Sequence, residues 1–347
     1  MRILIATVQI PFATGGAEVL VEDLRRALVE FGHEVDVVAL PWGWTGSDSF
    51  MDHLAAFRLL DLTHSQGAPI DRLVAMKFPA YLIPHPNKVV WLMHQQRQAY
   101  ELWDDQLGLS QVAGGRQIRD LIFQADQLGL QEARKIFTIS ETVTRRLKSS
   151  LSIPSTPLPP PPRNAERLYT AKAEDYLFFP SRLSPWKRQR LVLEALALTE
   201  EDVRIRFAGF REDSPELKPL ELQATELGVQ DRVEWLGLLS ERDYLECFAR
   251  SLAVLFPPYD EDYGYITVEA MLASKPVITC TDSGGPLEWV LNDATGWVTE
   301  PRPGALADVF DQVWKQRDKA EELGINGRDR WHRLSVSWHE IADRLLQ

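Results

Sequence analysis

With 347 residues, 45% of them hydrophobic and 25% charged, the chain is long enough for two ordinary globular domains, each with its own core. A net charge of −12, whose excess acid falls almost wholly after residue 163, excludes general nucleic-acid binding, which needs a basic face. The two cysteines, Cys247 and Cys280, stand in no metal-ligand spacing, so a reducing cytosol is the expected setting.

Residues 3–8 are a short apolar run followed by polar and turn residues, which reads as a first strand; the run is too short for a membrane span or a signal sequence. Thr14, Gly15 and Gly16 then lead into an amphipathic helix over 17–32, with Leu20, Leu24, Leu28 and Phe31 at helical spacing. Two glycines before a helix N-terminus let a phosphate or a sugar approach the backbone, although such a turn taken alone is more often structural. The pattern is not G-x-G-x-x-G, so the dinucleotide fingerprint is absent. A second strand is expected at 35–40, helices around 50–61, 111–132 and 141–149, and strands at 88–93 and 135–139. His94 closes the strand at 88–93, and Arg97 and Tyr100 follow it at helical spacing as candidates for an acceptor pocket. Most single histidines are structural or surface groups, and the other six have no comparable position. A basic cluster of Arg134, Lys135, Arg145, Arg146 and Lys148 offers contact with an anionic membrane surface, with a solvated face as the plainer reading.

The clearest seam is residues 153–162, where six prolines in ten positions rule out a helix or a central strand and favour a stiff connector. Beyond it, strands are expected at 176–180, 203–208, 233–236, 253–256 and 276–280, with helices between. Ser240 and Asp243 form a capping box for the helix that runs to Leu252. Strands alternating with helices predict parallel sheets covered on both faces, in two domains with a cleft between the carboxyl ends of their strands.

Three constellations in the second half carry chemistry. Arg182 and Lys187 follow the strand at 176–180, and two fixed cations at a strand end suit a diphosphate. Arg188 and Arg190 read as solvated residues helping to open the next helix. Glu261 and Glu269 stand eight positions apart with Gly264 between them. A helix starting near Ile266 turns its backbone N–H groups toward the loop of Glu261, while Glu269 sits one turn inside with a carboxylate suited to vicinal hydroxyls. Gly284 and Gly285 form a further turn after the strand at 276–280. The triplet at 260–262 superficially offers the two aspartates Asp260 and Asp262 to a metal, but it lies in the loop leading into the Glu261/Glu269 element and no third ligand is visible, so no metal or other cofactor is expected. No nucleophile with an adjacent base stands out.

Taken together, these pieces resemble glycosyltransferase family 4, retaining enzymes with the GT-B fold. The resemblance runs from Gly15 and Gly16 through Arg182, Lys187, Gly209, residues 232–237 and 261–269 to Gly284, Gly285 and Gly296. It implies an α/β protein of two Rossmann-like parallel-sheet domains facing a central cleft. Residues 1–160, with a final helix over 336–347 around Trp338, would bind the acceptor, and 164–335 the donor. Glu269 would hold the ribose of a nucleotide sugar, and Glu261 and His94 would stand near the reacting sugar. Arg182 and Lys187 would stabilise the departing diphosphate. Gly15 and Gly16 would frame the donor phosphate, with Gly209, Leu236, Gly264, Tyr265 and Ile266 completing the donor site. One departure is Ser274, where the family usually has glycine at a helix exit.

The implied activity is sugar transfer from a UDP-, GDP- or ADP-linked donor to a glycan or glycoconjugate hydroxyl. The anomeric configuration would be retained, no metal would be needed, and the setting would be cytoplasmic or at the inner membrane face. A non-catalytic carbohydrate-binding relative and a GT-B phosphorylase or epimerase are the alternatives. The base, the sugar and the acceptor are fixed by no motif.

Overall fold

The apolar run after Arg2 becomes β1 (Arg2–Gln9), whose Ile3, Ile5, Ala6 and Val8 are buried, as the two-sided burial of a parallel strand requires. The computed structural model describes residues 1–12, 15–42, 47–106 and 108–347, so Thr14 lies outside the described residues. The chain divides into two compact units, residues 1–163 with 337–347, and residues 164–336.

In the first unit, β1 is followed by α1 (Gly16–Glu30), β2 (Glu34–Pro41), α2 (Ser47–Leu59), the antiparallel pair β3 (His64–Ser65) and β4 (Ala68–Pro69), and β5 (Arg72–Ala75). Then come β6 (Lys88–Leu92), α3 (Gly115–Gln131), β7 (Lys135–Thr138), α4 (Glu141–Leu151) and β8 (Thr156–Pro157). The sheet order is β2-β1-β5-β6-β7-β8, all parallel. Two expectations change here. β5 is a four-residue strand opened by an arginine, too short for its pattern to stand out in the sequence. The proline-rich seam is not wholly a connector: Thr156 and Pro157 pair with Phe137 and Thr138 as the edge strand. The Leu158 amide donates to Thr138 O at 2.7 Å, and the Trp91 indole donates to Leu158 O at 2.9 Å. An edge position accepts proline because the missing N–H faces away from the ladder.

The second unit repeats the layout with β9 (Leu177–Pro180), α5 (Gln189–Leu196), β10 (Ile205–Ala208), α6 (Leu217–Glu226), β11 (Val233–Trp235), α7 (Glu241–Arg250) and β12 (Ala253–Leu255). It continues with α8 (Tyr265–Leu272), β13 (Val277–Cys280), α9 (Pro286–Trp289), β14 (Gly296–Thr299), α10 (Pro303–Lys315) and α11 (Arg317–Arg333). The parallel order is β11-β10-β9-β12-β13-β14. The chain therefore builds outward from β9 in one direction through β11, then crosses back to place β12 on the other side of β9. That reversal is a topological switch point, and ligands of open α/β sheets bind outside the carboxyl ends of the strands there. The exit from α8 shows what Ser274 does. Its φ is +54°, a left-handed conformation usually given to glycine, and Gly324 packs so closely beneath it that a Cβ there would lie 2.1 Å from Ser274 O.

The last helix, α12 (Trp338–Leu346), belongs to the first unit. Its Ser337 cap accepts from the Glu340 amide, the Trp338 ring meets Trp91 edge-on at 6.3 Å, and Arg72 donates to Leu346 O at 2.6 Å.

Candidate functional site

Three loops meet at the switch point of the second unit. The segment Pro185–Lys187 is a single 3-10 turn after β9, residues 256–264 follow β12, and residues 281–285 follow β13. Their backbones are joined by hydrogen bonds. The Tyr259 amide donates to Trp186 O at 2.7 Å, the Asp260 amide to Asp282 O at 2.9 Å, the Glu261 amide to Ser283 O at 3.0 Å and the Gly285 amide to Glu261 O at 2.8 Å. Gly284 is needed for that approach: its φ is +69°, and a Cβ would lie 2.5 Å from Glu261 O and 2.8 Å from Glu261 N.

This scaffold brings Lys187 and Glu261 into contact, with Lys187 Nζ 2.5 Å from Glu261 Oε2 and 5.0 Å from the Phe256 ring centroid. Only 11% of the lysine side chain and 24% of the glutamate side chain are exposed, so the pair is shielded from screening more than a surface bridge. A charge-assisted bond of this kind orients both groups and leaves the ammonium two further donors for an anion. Arg182, by contrast, is exposed, and its side chain makes no hydrogen bond or ion pair among the described residues; its carbonyl accepts from the Gln189 amide group at 3.0 Å.

Gly264 caps α8 with φ +84°, and a Cβ there would lie 2.9 Å from Pro286 Cγ and 3.1 Å from Phe256 Cε1. The helix starts at Tyr265, one residue before the expected position, and Tyr265 stacks edge-on against buried Tyr263 at 4.8 Å. Glu269 stands one turn in, as expected. Its Oε2 accepts from the Tyr244 hydroxyl of α7 at 2.9 Å. Burial pushes the Glu269 carboxyl up to about 7, with the tyrosine bond opposing the rise. On the other side of β9, Gly209 ends β10 with φ +90° and donates to Gly237 O at 2.8 Å, while the Leu236 amide donates to Phe207 O at 2.8 Å. A Cβ at Gly209 would lie 3.2 Å from the Ser181 backbone, so this glycine lets the loops after β9 and β10 close up.

Two groups that sequence reasoning passed over belong to this cluster. Tyr244 sits on α7, whose Ser240 cap was legible, but which side chain α7 turns toward Glu269 was not. Arg188 is no solvated helix opener: its guanidinium is bidentate with Asp282, at 2.7 and 2.6 Å, and lies 5.2 Å from the Tyr259 ring centroid.

In the first unit the candidates are more committed than their spacing suggested. The Gly15 amide, offered above to an anion, donates instead to Glu18 Oε2 at 2.8 Å, and Gly16 opens α1. His94 follows β6 with Nδ1 2.6 Å from Gln95 O, a carbonyl that can only accept, so Nδ1 carries a proton. Arg97 is paired with Glu101 at 2.7 Å, and Arg146 reaches the same carboxylate at 3.3 Å. The Tyr100 hydroxyl donates to Asp126 at 2.6 Å, beside the Tyr81 hydroxyl at 2.5 Å. Asp126 is fully buried, and burial raises its carboxyl to about 6. Arg97 and Tyr100 thus both hold carboxylates of their own unit, Glu101 and Asp126. In the basic cluster, Arg134 and Arg145 are also bound, to Pro86 O at 3.0 Å and Thr142 Oγ1 at 3.1 Å. Among the described residues no helix is long and apolar enough to cross a membrane, and no group of three or more His, Cys, Asp or Glu is arranged to hold a metal ion.

Residues 163–330 match the family described as "Glycosyl transferases group 1". The alpha-1,3/1,6-mannosyltransferase ALG2 of Dictyostelium discoideum is 30% identical over 122 residues, which are 35% of this chain and 29% of that protein. The chain thus spans less than a third of that relative's length. Among solved structures, sucrose-phosphate synthase from Thermosynechococcus elongatus superposes with a TM-score of 0.80 at 17% identity, over 99% of this chain and 97% of that one. Anabaena HepE in complex with UDP-glucose superposes with a TM-score of 0.71 at 18% identity, over 99% of this chain and 98% of that one. At such identities the likeness concerns the fold, which is the GT-B fold of two Rossmann-like parallel-sheet units.

Proposed function

We propose, from the match of residues 163–330 to the glycosyl transferases group 1 family, that the protein transfers a sugar from a nucleotide diphosphate donor to an acceptor hydroxyl with retention of anomeric configuration. The observation that carries the reading is the Lys187–Glu261 pair at the switch point of the second unit. Departure of the diphosphate puts negative charge on phosphate oxygens and positive character on the anomeric carbon. Lys187, already oriented, and the exposed guanidinium of Arg182 would meet the first charge, and Glu261, next to the lysine, would face the second. Backbone amides at the start of α8 would support the distal phosphate or the sugar, and Glu269 would accept from the ribose hydroxyls. His94 would contact the donor sugar near the reacting centre.

The acceptor would attack the face that the leaving group vacates, with a phosphate oxygen taking its proton. Such a step needs no enzymic nucleophile. With the cations of the chain meeting the leaving charge, no divalent metal is invoked. A glycan or glycoconjugate acceptor and a UDP-, GDP- or ADP-linked donor fit this chemistry.

The test is to incubate the full chain with UDP-glucose, GDP-mannose and ADP-glucose and to follow sugar release and nucleotide binding, with and without a chelator. The reading expects one donor to bind and to be slowly hydrolysed, at a rate unchanged by chelation. It is sunk if R182A, K187A and E269A all leave nucleotide diphosphate binding as in the wild type.

A further inference from the structure

The bond between Arg188 and Asp282 differs from an ordinary surface ion pair in three ways. First, Arg188 adopts φ +64°, a left-handed conformation that a residue with a side chain rarely takes, as the residue entering α5. Second, its guanidinium engages both carboxylate oxygens, and the two side chains are only 17% and 34% exposed. Third, it joins the loop after β9 to the loop after β13, two strands with β12 between them in the sheet. The loop after β12 is hydrogen-bonded to both, through the Tyr259 amide on Trp186 O and the Asp260 amide on Asp282 O. The fork therefore closes a ring of three loops whose other members are Lys187, the residue before Arg188, and Glu261, the residue after Asp260.

We propose that Arg188 and Asp282 are positioning residues: their fork holds Lys187 and Glu261 in the geometry that stabilises the departing diphosphate, without itself touching the donor. The inference rests on the proposed sugar transfer and assigns a part to two residues that its motifs do not include. An arginine kept in a glycine-like conformation is explained by what its side chain does. Glycine would relieve the backbone but would remove the side-chain fork between the loops after β9 and β13. A small misplacement of a charge aimed at a developing anion lowers the rate steeply while leaving ground-state binding largely intact.

The experiment compares the full-length wild type with R188G, D282N, K187A, the double variant R188G/K187A and the exchange R188D/D282R. Each is assayed with whichever of UDP-glucose, GDP-mannose and ADP-glucose the wild type turns over fastest, and each is melted. R188G and D282N should lower kcat about tenfold or more, change KM for the donor less than about threefold, and keep Tm within a few degrees. K187A should cost less in the R188G background than alone, since both act through one lysine, and the exchange should recover part of the lost rate. A structural pair would move Tm and leave kcat per folded molecule alone. Kcat within twofold of wild type in both R188G and D282N, while K187A is impaired, overturns the inference and leaves the sugar-transfer reading standing. If R188G does not fold, D282N decides alone. If the wild type releases sugar from none of the three donors and K187A binds UDP, GDP and ADP as tightly as it does, the sugar-transfer reading fails and the inference falls with it.

Discussion

The Tyr244 hydroxyl donates to Glu269 Oε2 at 2.9 Å and so ties α7 to the carboxylate that stands one turn inside α8. A buried carboxyl raised to about 7 sits at the edge of its charged form near neutral pH, and this one bond helps to keep it ionised. The buried Tyr263 hydroxyl is also within electrostatic reach of this carboxylate.

Y244F should therefore push the Glu269 pKa higher still. If Glu269 must be ionised to accept from ribose hydroxyls, nucleotide affinity falls as pH drops through about 7 in the wild type. In Y244F that midpoint moves up, and affinity at neutral pH falls about tenfold, the scale of one lost hydrogen bond to a charged group. Calorimetric titration with UDP, GDP and ADP across pH reads both effects. An unchanged midpoint means that the bond does not tune the carboxylate.

Stability carries the same signature with a definite sign. The folded carboxyl is raised from 4.5 to about 7, so between those values the folded chain holds a proton that the unfolded chain has released. The contribution is fully present below pH 4.5 and is lost as pH rises through about 7. E269Q cannot titrate, so its Tm relative to wild type should improve from acid to neutral pH. Melting curves in a pH series test this, and a difference independent of pH would show that the carboxyl titrates normally.

K187A removes the ammonium and leaves Glu261 without its partner at the switch point. We expect kcat to drop by about 100-fold or more, in line with deletion of a group aimed at developing negative charge. Weaker binding of the nucleotide diphosphate should accompany it. Steady-state kinetics with K187A and K187R separates charge from shape, since arginine restores charge with a different donor geometry. Equal rates for all three proteins would remove Lys187 from the reaction.

G284A adds one methyl group where a Cβ meets the Glu261 backbone at 2.5 Å and where φ is +69°. Backbone atoms cannot yield as a flexible side chain can, so the loop after β12 must shift. The cost should be about 2 kcal/mol, seen as a Tm lower by about 5 °C. The same shift carries Glu261 away from Lys187, so activity per folded molecule falls as well, although no charged group has been altered. G304A makes a control, because nothing lies within 4 Å of the Cβ it would gain.

Much of the arrangement was legible in the chain because it depends on local pattern. Apolar runs broken by amphipathic stretches predicted alternating strands and helices, and Gly264 between Glu261 and Glu269 predicted a turn into a helix with a carboxylate one turn along. The missed strands were short: Arg72–Ala75 and Gly296–Thr299 have four residues each, His64–Ser65 and Ala68–Pro69 two each, and Thr156–Pro157 hides in a proline run. Of the partners of the acceptor candidates, Glu101 stands four positions after Arg97, within reach of helical spacing, whereas Asp126 stands 26 residues after Tyr100, where no local pattern points.

Sequence alone determined the class of fold and the presence of cations and carboxylates at the right strand ends, since periodicity and turn chemistry act over a few residues. Only the tertiary structure decided which of them meet. The sheet order places the loops after β9, β12 and β13 side by side, and it alone joins Lys187 to Glu261, Tyr244 to Glu269 and Arg188 to Asp282. Those partners are separated by 74, 25 and 94 residues, distances over which no local pattern carries information.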